Sequence, residues 1–434
     1  MSTPLALDDL RVLELRGART QYCGKLLADL GADVIKVEPP GGDSSRALGP
    51  FDQGEINRER SLHFFYFNTN KRSIVLDIES AEGRKLFRQL ATTVDVILES
   101  FEPGYLDSLG IGYESLRKDN PGLVFASITG FGQSGPHAHY NAPDIVSVAM
   151  SGIMFLAGYP EDPPNRPYGD QGDYCAGIWG AIGILAALNN RFQTKKGQQV
   201  DVSVQEALSL NQETAIQTWD LCQDLRGRTG AGRMIPAFKS LEFPGFGTYE
   251  CKDGHIMAMM AILAGGGWKA VVEWMDESDM ADELTNDQWR PFIAELGLRE
   301  LVVKLKDMNE EERAEVVSKL ARIDGILIKF FLSKNKLELY EEAQARDLVA
   351  APVNSPKDLL QSPQLSARGY FREIEHPELG REITYPGPPY QLSLTPAGIR
   401  RRPPLIAEHN EEVYGCLPGM SEKRLAVLRK QGVI

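Results

Sequence analysis

Short apolar runs rich in β-branched residues alternate with helical-period segments between residues 11 and 132, and this alternation constrains the fold more than any other feature. RVLEL (11–15), ADVIKVE (32–38), SIVLDI (73–78), VDVILES (94–100) and LVFASITGFG (123–132) read as buried strands. TQYCGKLLADLG (20–31) is an amphipathic helix ended by Gly31, and Ser80 is placed to cap AEGRKLFRQLA (81–91). A shorter helix is expected near Tyr113–Lys118. Strands separated by helical crossovers of this length run parallel, so the pattern predicts a doubly wound α/β sheet.

The texture changes near Arg226. GRTGAGRMIPAFKSLEFPGFG (227–247) is rich in glycine and proline, and FGTYECKDGHIMAMMAI (246–262) reads as a hairpin through Lys252-Asp253-Gly254. Charged helical patterns follow, such as EERAEVVSKLARIDG (311–325). The expected division is residues 1–224 as a large domain, 225–325 as a smaller α+β domain, and 326–434 as a tail. That tail carries a helix at LELYEEAQARD (337–347), proline-punctuated strands, and a last helix near SEKRLAVLRKQG (421–432).

A net charge of −13 argues against broad nucleic-acid or anionic-membrane binding, but not against an anionic ligand held by a few local cations. Cys23, Cys175, Cys222, Cys251 and Cys416 form no CxxC pair, which fits reduced thiols in a cytosolic protein rather than disulfides or a zinc site. The start MSTPLALDDLRVLEL lacks the plan of a signal peptide, and AGIWGAIGILAAL is too short to span a bilayer. The expectation is a soluble, cytoplasmic protein without metal, since the six histidines show no ligand spacing.

Several motifs compete for the chemistry. GFGQSG (130–135) matches GxGxxG, but Pro136 and HAHYNAP follow where a dinucleotide site needs a helix to open. GQSGP misses the nucleophile elbow because its last glycine is displaced. GGGW (265–268) reads as a turn into the helix WKAVVEWM. NTNKRS (68–73) sets Lys71 and Arg72 beside Asn donors, as a phosphate loop or an ordinary solvated one. In GDQGDYCAGIWG (169–180), Asp173 stands at the start of a helix, where an aspartate is worth ~1 kcal/mol as an N-cap. The same position suits a nucleophilic carboxylate, because the helix N-terminus favours the anion. Gly177, Gly180 and Gly183 then form a bare stripe that admits a backbone or a ligand at close range.

Read together, LLADLGADVIKVEPPGGD, FNTNKRSIVLDIESAEGRKL, SFEPGYLDSLGIGYESL, ITGFGQSGP, DYCAGIWGAIGILAALNNRFQTKKGQQVDVSVQEA and PPLIAEHNEEVYG resemble the family III CoA-transferases over nearly the whole chain. The resemblance implies a Rossmann-like large domain with a parallel sheet and an inserted smaller α+β domain. It also implies an interlocked dimer, with a second copy or a homologous subunit. It makes Asp173 the catalytic nucleophile, Asp144 a substrate-binding residue, and Ala18, Arg19, Asn70, Lys71, Arg72, Ser100, Phe101, Tyr105 and Leu109 contacts to coenzyme A. The substrates would be an acyl-CoA donor and a carboxylic acid acceptor, joined through aspartyl anhydride and aspartyl-CoA thioester intermediates.

The chain departs from the family at Pro39, where members often carry Arg, at Glu102 in Ser100-Phe101-Glu102, and at Ser108. These departures leave open the details of CoA phosphate binding and whether the partner is identical. The related α-methylacyl-CoA racemases need a second acid/base, typically the His of Gly-His-Asp, where this chain has Ala142-Pro143-Asp144. His137 and His139 lie a few residues upstream and are the alternatives to it. A non-catalytic CoA-binding subunit and an NAD-dependent oxidoreductase are the remaining competing classes.

Overall fold

In the structure, a computed structural model, residues 4–231, 242–260 and 266–434 are described. Gly265 of GGGW and GRMIPAFKSL (232–241) within the glycine- and proline-rich segment therefore fall outside it. Contacts between residues divide the chain into two compact units.

The first unit comprises Met1–Ile153, Arg166–Glu213 and Ser362–Ile434. Its centre is a six-stranded sheet in the order β3-β2-β1-β4-β5-β6, parallel throughout. The strands are β1 (Arg11–Glu14), β2 (Asp33–Glu38), β3 (Arg72–Val75), β4 (Val96–Glu99), β5 (Val124–Thr129) and β6 (Gln199–Ser203). The first five are the strands expected from the apolar runs. The sixth was missed because QVDVS is an edge strand with Gln199 and Asp201 exposed, so it lacks a continuous apolar signature.

Register places Leu13 against Ile35 on one side and Ile97 on the other, and these pack in one core with Phe87, Phe125 and Tyr414. Helix α1 (Ala18–Asp29) crosses from β1 to β2, α2 (Leu62–Asn68) precedes β3, and α3 (Ala81–Ala91) leads to β4. Ser80 caps α3 as expected, its Oγ accepting from Gly83 N at 3.0 Å. Helices α4 (Tyr105–Ser108) and α5 (Asp144–Met150) are short, and α6 (Gln171–Thr194) is the long crossover to β6. The glycine stripe of α6 faces protein rather than open space. A Cβ on Gly177 would lie 3.1 Å from Cys23 N of α1, and one on Gly180 2.8 Å from Ile128 of β5. The stripe thus lets α6 lie close against α1 and the sheet.

The second unit comprises Met154–Asn165 and Thr214–Gln361. The hairpin is present as β7 (Phe246–Cys251) and β8 (Gly254–Met259), joined at Lys252-Asp253. A third strand, β9 (Ala350–Pro352), pairs antiparallel with β8. Helices α7 (Gly266–Asp276), α8 (Glu310–Leu332) and α9 (Lys336–Ala345) are among its helices, with Trp268, Trp274, Phe330 and Phe331 in its core. Asn309 and Glu312 form a capping box at the start of α8. The expected boundary at 325/326 is displaced, since this unit continues to Gln361. The cause is visible in the packing: residue 325 lies inside α8, Leu339 and Ala343 of α9 join the same core, and β9 completes the sheet.

The chain returns to the first unit with the hairpin β10 (Phe371–His376) and β11 (Arg381–Pro386), then α10 (Asn410–Gly415) and α11 (Glu422–Lys430). The edge strand β3 is covered by this return: Val75 N donates to Asn410 Oδ1 at 2.9 Å and Tyr414 Oη donates to Val75 O at 2.6 Å.

Candidate active site

The carboxyl ends of β1 and β4 mark the point where strand order reverses, and ligands of open parallel sheets bind at such points. Gly17 (φ +132°) turns the chain off β1 there, and a Cβ on it would run into Ser100 Oγ. That close fit brings the start of α1, with Ala18 and Arg19, beside the loop after β4. Phe101 N in that loop donates to Glu99 Oε2 at 2.6 Å. The Phe101 ring stacks on Tyr105, with centroids 4.9 Å apart, and Arg16 lies 5.0 Å from it. Tyr105 opens α4 and donates to Glu79, and Leu109 is its C-terminal cap residue, packed against the core. A cavity of about 240 Å³ is lined by Arg16, Val37, Pro39, Asp77, Ile78 and Phe101, among others. Arg16 is a candidate that sequence reasoning missed, although it stands only two residues before Ala18.

Asp173 sits in the first turn of α6 but is not its cap. The helix begins at Gln171, and Asp170 occupies the cap position without a side-chain cap bond. The capping oxygen comes from α5: Asp144 Oδ1 accepts from Gly172 N at 2.7 Å and from Asp173 N at 3.3 Å. The cap reading of Asp173 is therefore corrected, and the cap function passes to Asp144, which holds the helix end from outside. Asp144 Oδ2 is buried and has no hydrogen-bond partner among the described residues.

Asp173, freed from capping, meets Arg19 instead. Arg19 Nε donates to Asp173 Oδ1 at 3.2 Å, and Arg19 Nη2 is anchored on Ala142 O. The Asp173 side chain is 17% exposed. Its loss of water pushes the carboxyl pKa up to about 6; Arg19 opposes this, while Asp144 and Asp170 add repulsion. The result is a carboxylate held in place and short of solvation, as a nucleophile requires.

Asn70, Lys71 and Arg72 are brought to the sheet edge, but not into an open loop. Lys71 is fully buried, 2.6 Å from Glu14 Oε2, and donates to Gln21 O and Asn68 Oδ1. Asn70, in the left-handed region (φ +66°), donates to Asp29 Oδ1 at 2.7 Å and accepts from Arg400 N. Arg72 forks onto Asp33 and reaches Glu412 at 2.9 Å. The side chains of Asn70, Lys71 and Arg72 are thus engaged within the fold, Arg72 through three of its five N–H donors.

The other motifs are placed as follows. GFGQSG lies between β5 and α5, with no helix opening on it. Pro143 precedes α5, His139 is exposed beside Glu102, and the His137 ring stacks on Tyr140. Among the described residues no group of three or more His, Cys, Asp or Glu side chains is placed to hold a metal, and no helix is long and apolar enough to cross a membrane.

The sequence matches CoA-transferase family III over residues 7–287 and 282–410. This chain belongs to that family. It is 35% identical to a succinyl-CoA:(R)-benzylsuccinate CoA-transferase subunit of Thauera aromatica, covering 93% of this chain and 92% of that one. It is 31% identical to a succinyl-CoA–D-citramalate CoA-transferase of Chloroflexus aurantiacus, over 99% and 98%. Its fold matches a CAIB/BAIF family protein from Brucella suis with a TM-score of 0.76 and 27% identity, covering 95% of this chain and 99% of that one. The protein is a CoA-transferase, acting on an acyl-CoA and an acid.

Proposed function

We propose that Asp173 carries CoA between the two acids. One Asp173 oxygen attacks the donor thioester carbonyl, giving a mixed anhydride and CoA thiolate. The thiolate attacks the aspartyl carbonyl, which yields an aspartyl-CoA thioester and releases the donor acid. The acceptor carboxylate attacks that thioester and re-forms an anhydride and thiolate. The thiolate then takes the acceptor acyl group, and Asp173 returns as a carboxylate. Covalent catalysis divides one hard transfer into easier steps. The observation that carries this reading is a largely buried carboxylate, aimed by Arg19 and leaving its helix capping to Asp144.

In this reading the CoA nucleotide lies in the cavity beside Phe101, with Ala18, Arg19, Ser100, Tyr105 and Leu109 around its path and Arg16 supplying a cation at its mouth. Asn70, Lys71 and Arg72 shape that site by holding the sheet edge. Both relatives use succinyl-CoA by name, so succinyl-CoA is the donor to try first. No observation favours a racemase, since Pro143 cannot move a proton. The enzyme works in the cytoplasm as an interlocked dimer. On the outer face of α6, Ile178, Trp179, Ile182 and Phe192 are exposed, and apolar surface of that kind calls for a partner. That one relative is named a subunit supports a homologous chain as that partner as well as a second copy.

The test is a screen of acyl-CoA donors against carboxylic acids, read by mass spectrometry. Hydroxylamine added during turnover converts an aspartyl thioester to a hydroxamate. The adduct is expected on the Asp173 peptide; an adduct on Asp170, or transfer without any adduct, overturns the assignment. Activity only after a homologous subunit is added would make this chain one half of a heteromer.

A further inference from the structure

Among the described residues Arg19 is the one cation in contact with Asp173, and both side chains are largely buried, 21% and 17% exposed. Their bond is single. Arg19 Nε donates to Asp173 Oδ1 at 3.2 Å, longer than the ~2.7–2.9 Å of a strong charged bond, and Asp173 Oδ2 accepts nothing among the described residues. A second bond, from Arg19 Nη2 to Ala142 O, holds the guanidinium on the backbone and does not depend on the charge of Asp173. Both N–H groups of Nη1 and one of Nη2 have no partner among the described residues. The other carboxylates nearby face elsewhere: Asp144 Oδ1 accepts from Gly172 N at 2.7 Å, and Asp170 Oδ1 lies 3.8 Å from Arg166 Nη2.

The charge on Asp173 disappears during covalent transfer. As a carboxylate it matches Arg19; as an anhydride or a thioester it is a neutral acyl group. A guanidinium does not shed its proton in exchange, so Arg19 becomes a largely buried cation without a counter-ion. An acid arriving as its carboxylate repairs that loss at the place where it has to react. The freed donors stand one hydrogen bond from Asp173 Oδ1. A carboxylate seated on them by one oxygen therefore brings its other oxygen against the aspartyl carbonyl carbon.

We propose that Arg19 is the receptor for the reacting carboxylate of the acid substrate, vacant only while Asp173 carries an acyl group or CoA. The proposal rests on the assignment of Asp173 as the CoA carrier. Held on Arg19, the acceptor carboxylate attacks the aspartyl thioester: a C–O bond forms at the aspartyl carbon, the C–S bond breaks, and CoA leaves as thiolate. The thiolate attacks the acceptor acyl carbon, the anhydride C–O bond breaks toward Asp173, and the restored aspartate pairs with Arg19 again. No proton moves, and one negative charge passes from acid to thiolate to aspartate. The free enzyme, whose Arg19 is already matched, holds acids weakly. Acids therefore bind after CoA has been loaded.

Asp173→Asn keeps the shape of the side chain and removes its charge, as thioester formation does. Succinate and acetate serve as probes, titrated calorimetrically into wild type and variants at pH 7.5. Asp173→Asn should bind them roughly 10- to 100-fold more tightly than wild type. Adding Arg19→Gln should remove most of that gain, and Arg19→Lys, which keeps the charge and loses the fork, should leave part of it. If the glutamine variant does not fold, the lysine variant carries the comparison. Equal affinity in wild type and Asp173→Asn, no binding of either acid to Asp173→Asn, or a gain undiminished by the Arg19 substitution overturns the proposal. Those outcomes leave the carrier reading standing, because loss of transfer in Asp173→Asn and the hydroxylamine adduct decide it separately. Transfer that survives in Asp173→Asn ends the carrier reading, and the proposal with it, whatever the titrations show.

Discussion

Asp43 and Asp173 are both aspartates withdrawn from water, and they end on opposite sides of the ordinary carboxyl range. Burial opposes the charge of each. Asp43 answers it with Lys36 at 3.5 Å, Ser45 N at 2.8 Å, Ser45 Oγ at 2.5 Å and Gly17 N at 3.2 Å, and its pKa falls well below normal. Among the described residues Asp173 has Arg19 as its one cationic partner, with Asp144 and Asp170 of like charge nearby, and its pKa rises. The surroundings of Asp43 continue into a closed network in which Glu14 takes Lys36 and Lys71, and Glu38 takes Arg46. A matched charge fixes structure; a charge left partly unmatched is available to react.

The largest expected effect breaks the unmatched side. Asp173→Asn should lower the CoA-transfer rate by about four orders of magnitude or more, each tenfold being ~1.4 kcal/mol of barrier. Folding should not suffer. A carboxyl whose folded pKa is raised stabilises the fold fully below its unfolded pKa, near 4, and loses that contribution as pH rises through about 6. At pH 7.5 the substitution therefore removes an unfavourable buried charge, and the melting temperature should hold or rise. A fall of several degrees would mean that Asp173 belongs with the structural charges.

The mirror experiment attacks the matched side. Lys71→Met leaves Glu14 with Lys36 alone in a fully buried place, and breaking such a pair costs ~3–5 kcal/mol. The expected result is a lower unfolding midpoint, with the remaining folded protein keeping its KM for acyl-CoA. A large rise in that KM without loss of stability would return Lys71 to the CoA phosphates.

Sequence could not separate these two sides. NTNKRS and GDQGDY each looked like chemistry, because a loop lysine and a helix-start aspartate advertise their charge and hide their partners. Lys71 is explained by Glu14, 57 positions upstream in the chain, and Asp173 by Arg19 and Asp144, 154 and 29 positions away. Such partners are set by the order of strands in the sheet, not by local spacing. What local pattern did carry was the run of parallel strands, since apolar β-branched segments answer to burial on both faces, and the Ser80 cap, which needs only three residues. The edge strand β6 and the continuation of the second unit through α9 and β9 escaped, both being decided by tertiary pairing.

A profile of kcat/KM against pH sharpens the comparison further. If Asp173 is the nucleophile, only its ionised form attacks, so activity should fall about tenfold per unit below the carboxyl pKa near 6 and level off above it. An acidic limb near 4 would place the nucleophile in ordinary solvent. The share of the unfolding midpoint's pH dependence that Asp173 contributes should vanish in Asp173→Asn, leaving that of groups such as Glu99, whose carboxyl burial pushes up to about 7.

Asp144 offers the smallest and most diagnostic change, because it acts on Asp173 in two separable ways. Its Oδ1 caps α6 through Gly172 N and Asp173 N, and its charge raises the Asp173 pKa. Asp144→Asn keeps an acceptor oxygen and discards the charge. Asn ranks with Asp as a cap, so stability should change little. With one neighbouring negative charge gone, the acidic limb of kcat/KM should move to lower pH while the plateau stays within a few-fold of wild type. Asp144→Ala removes both, and should cost ~1 kcal/mol of stability as well as shifting the limb. Comparing the two variants separates electrostatics from capping. If the limb stays in place in Asp144→Asn, the raised pKa of Asp173 comes from burial and Asp170 against Arg19, and Asp144 matters only as the hand that holds the helix end.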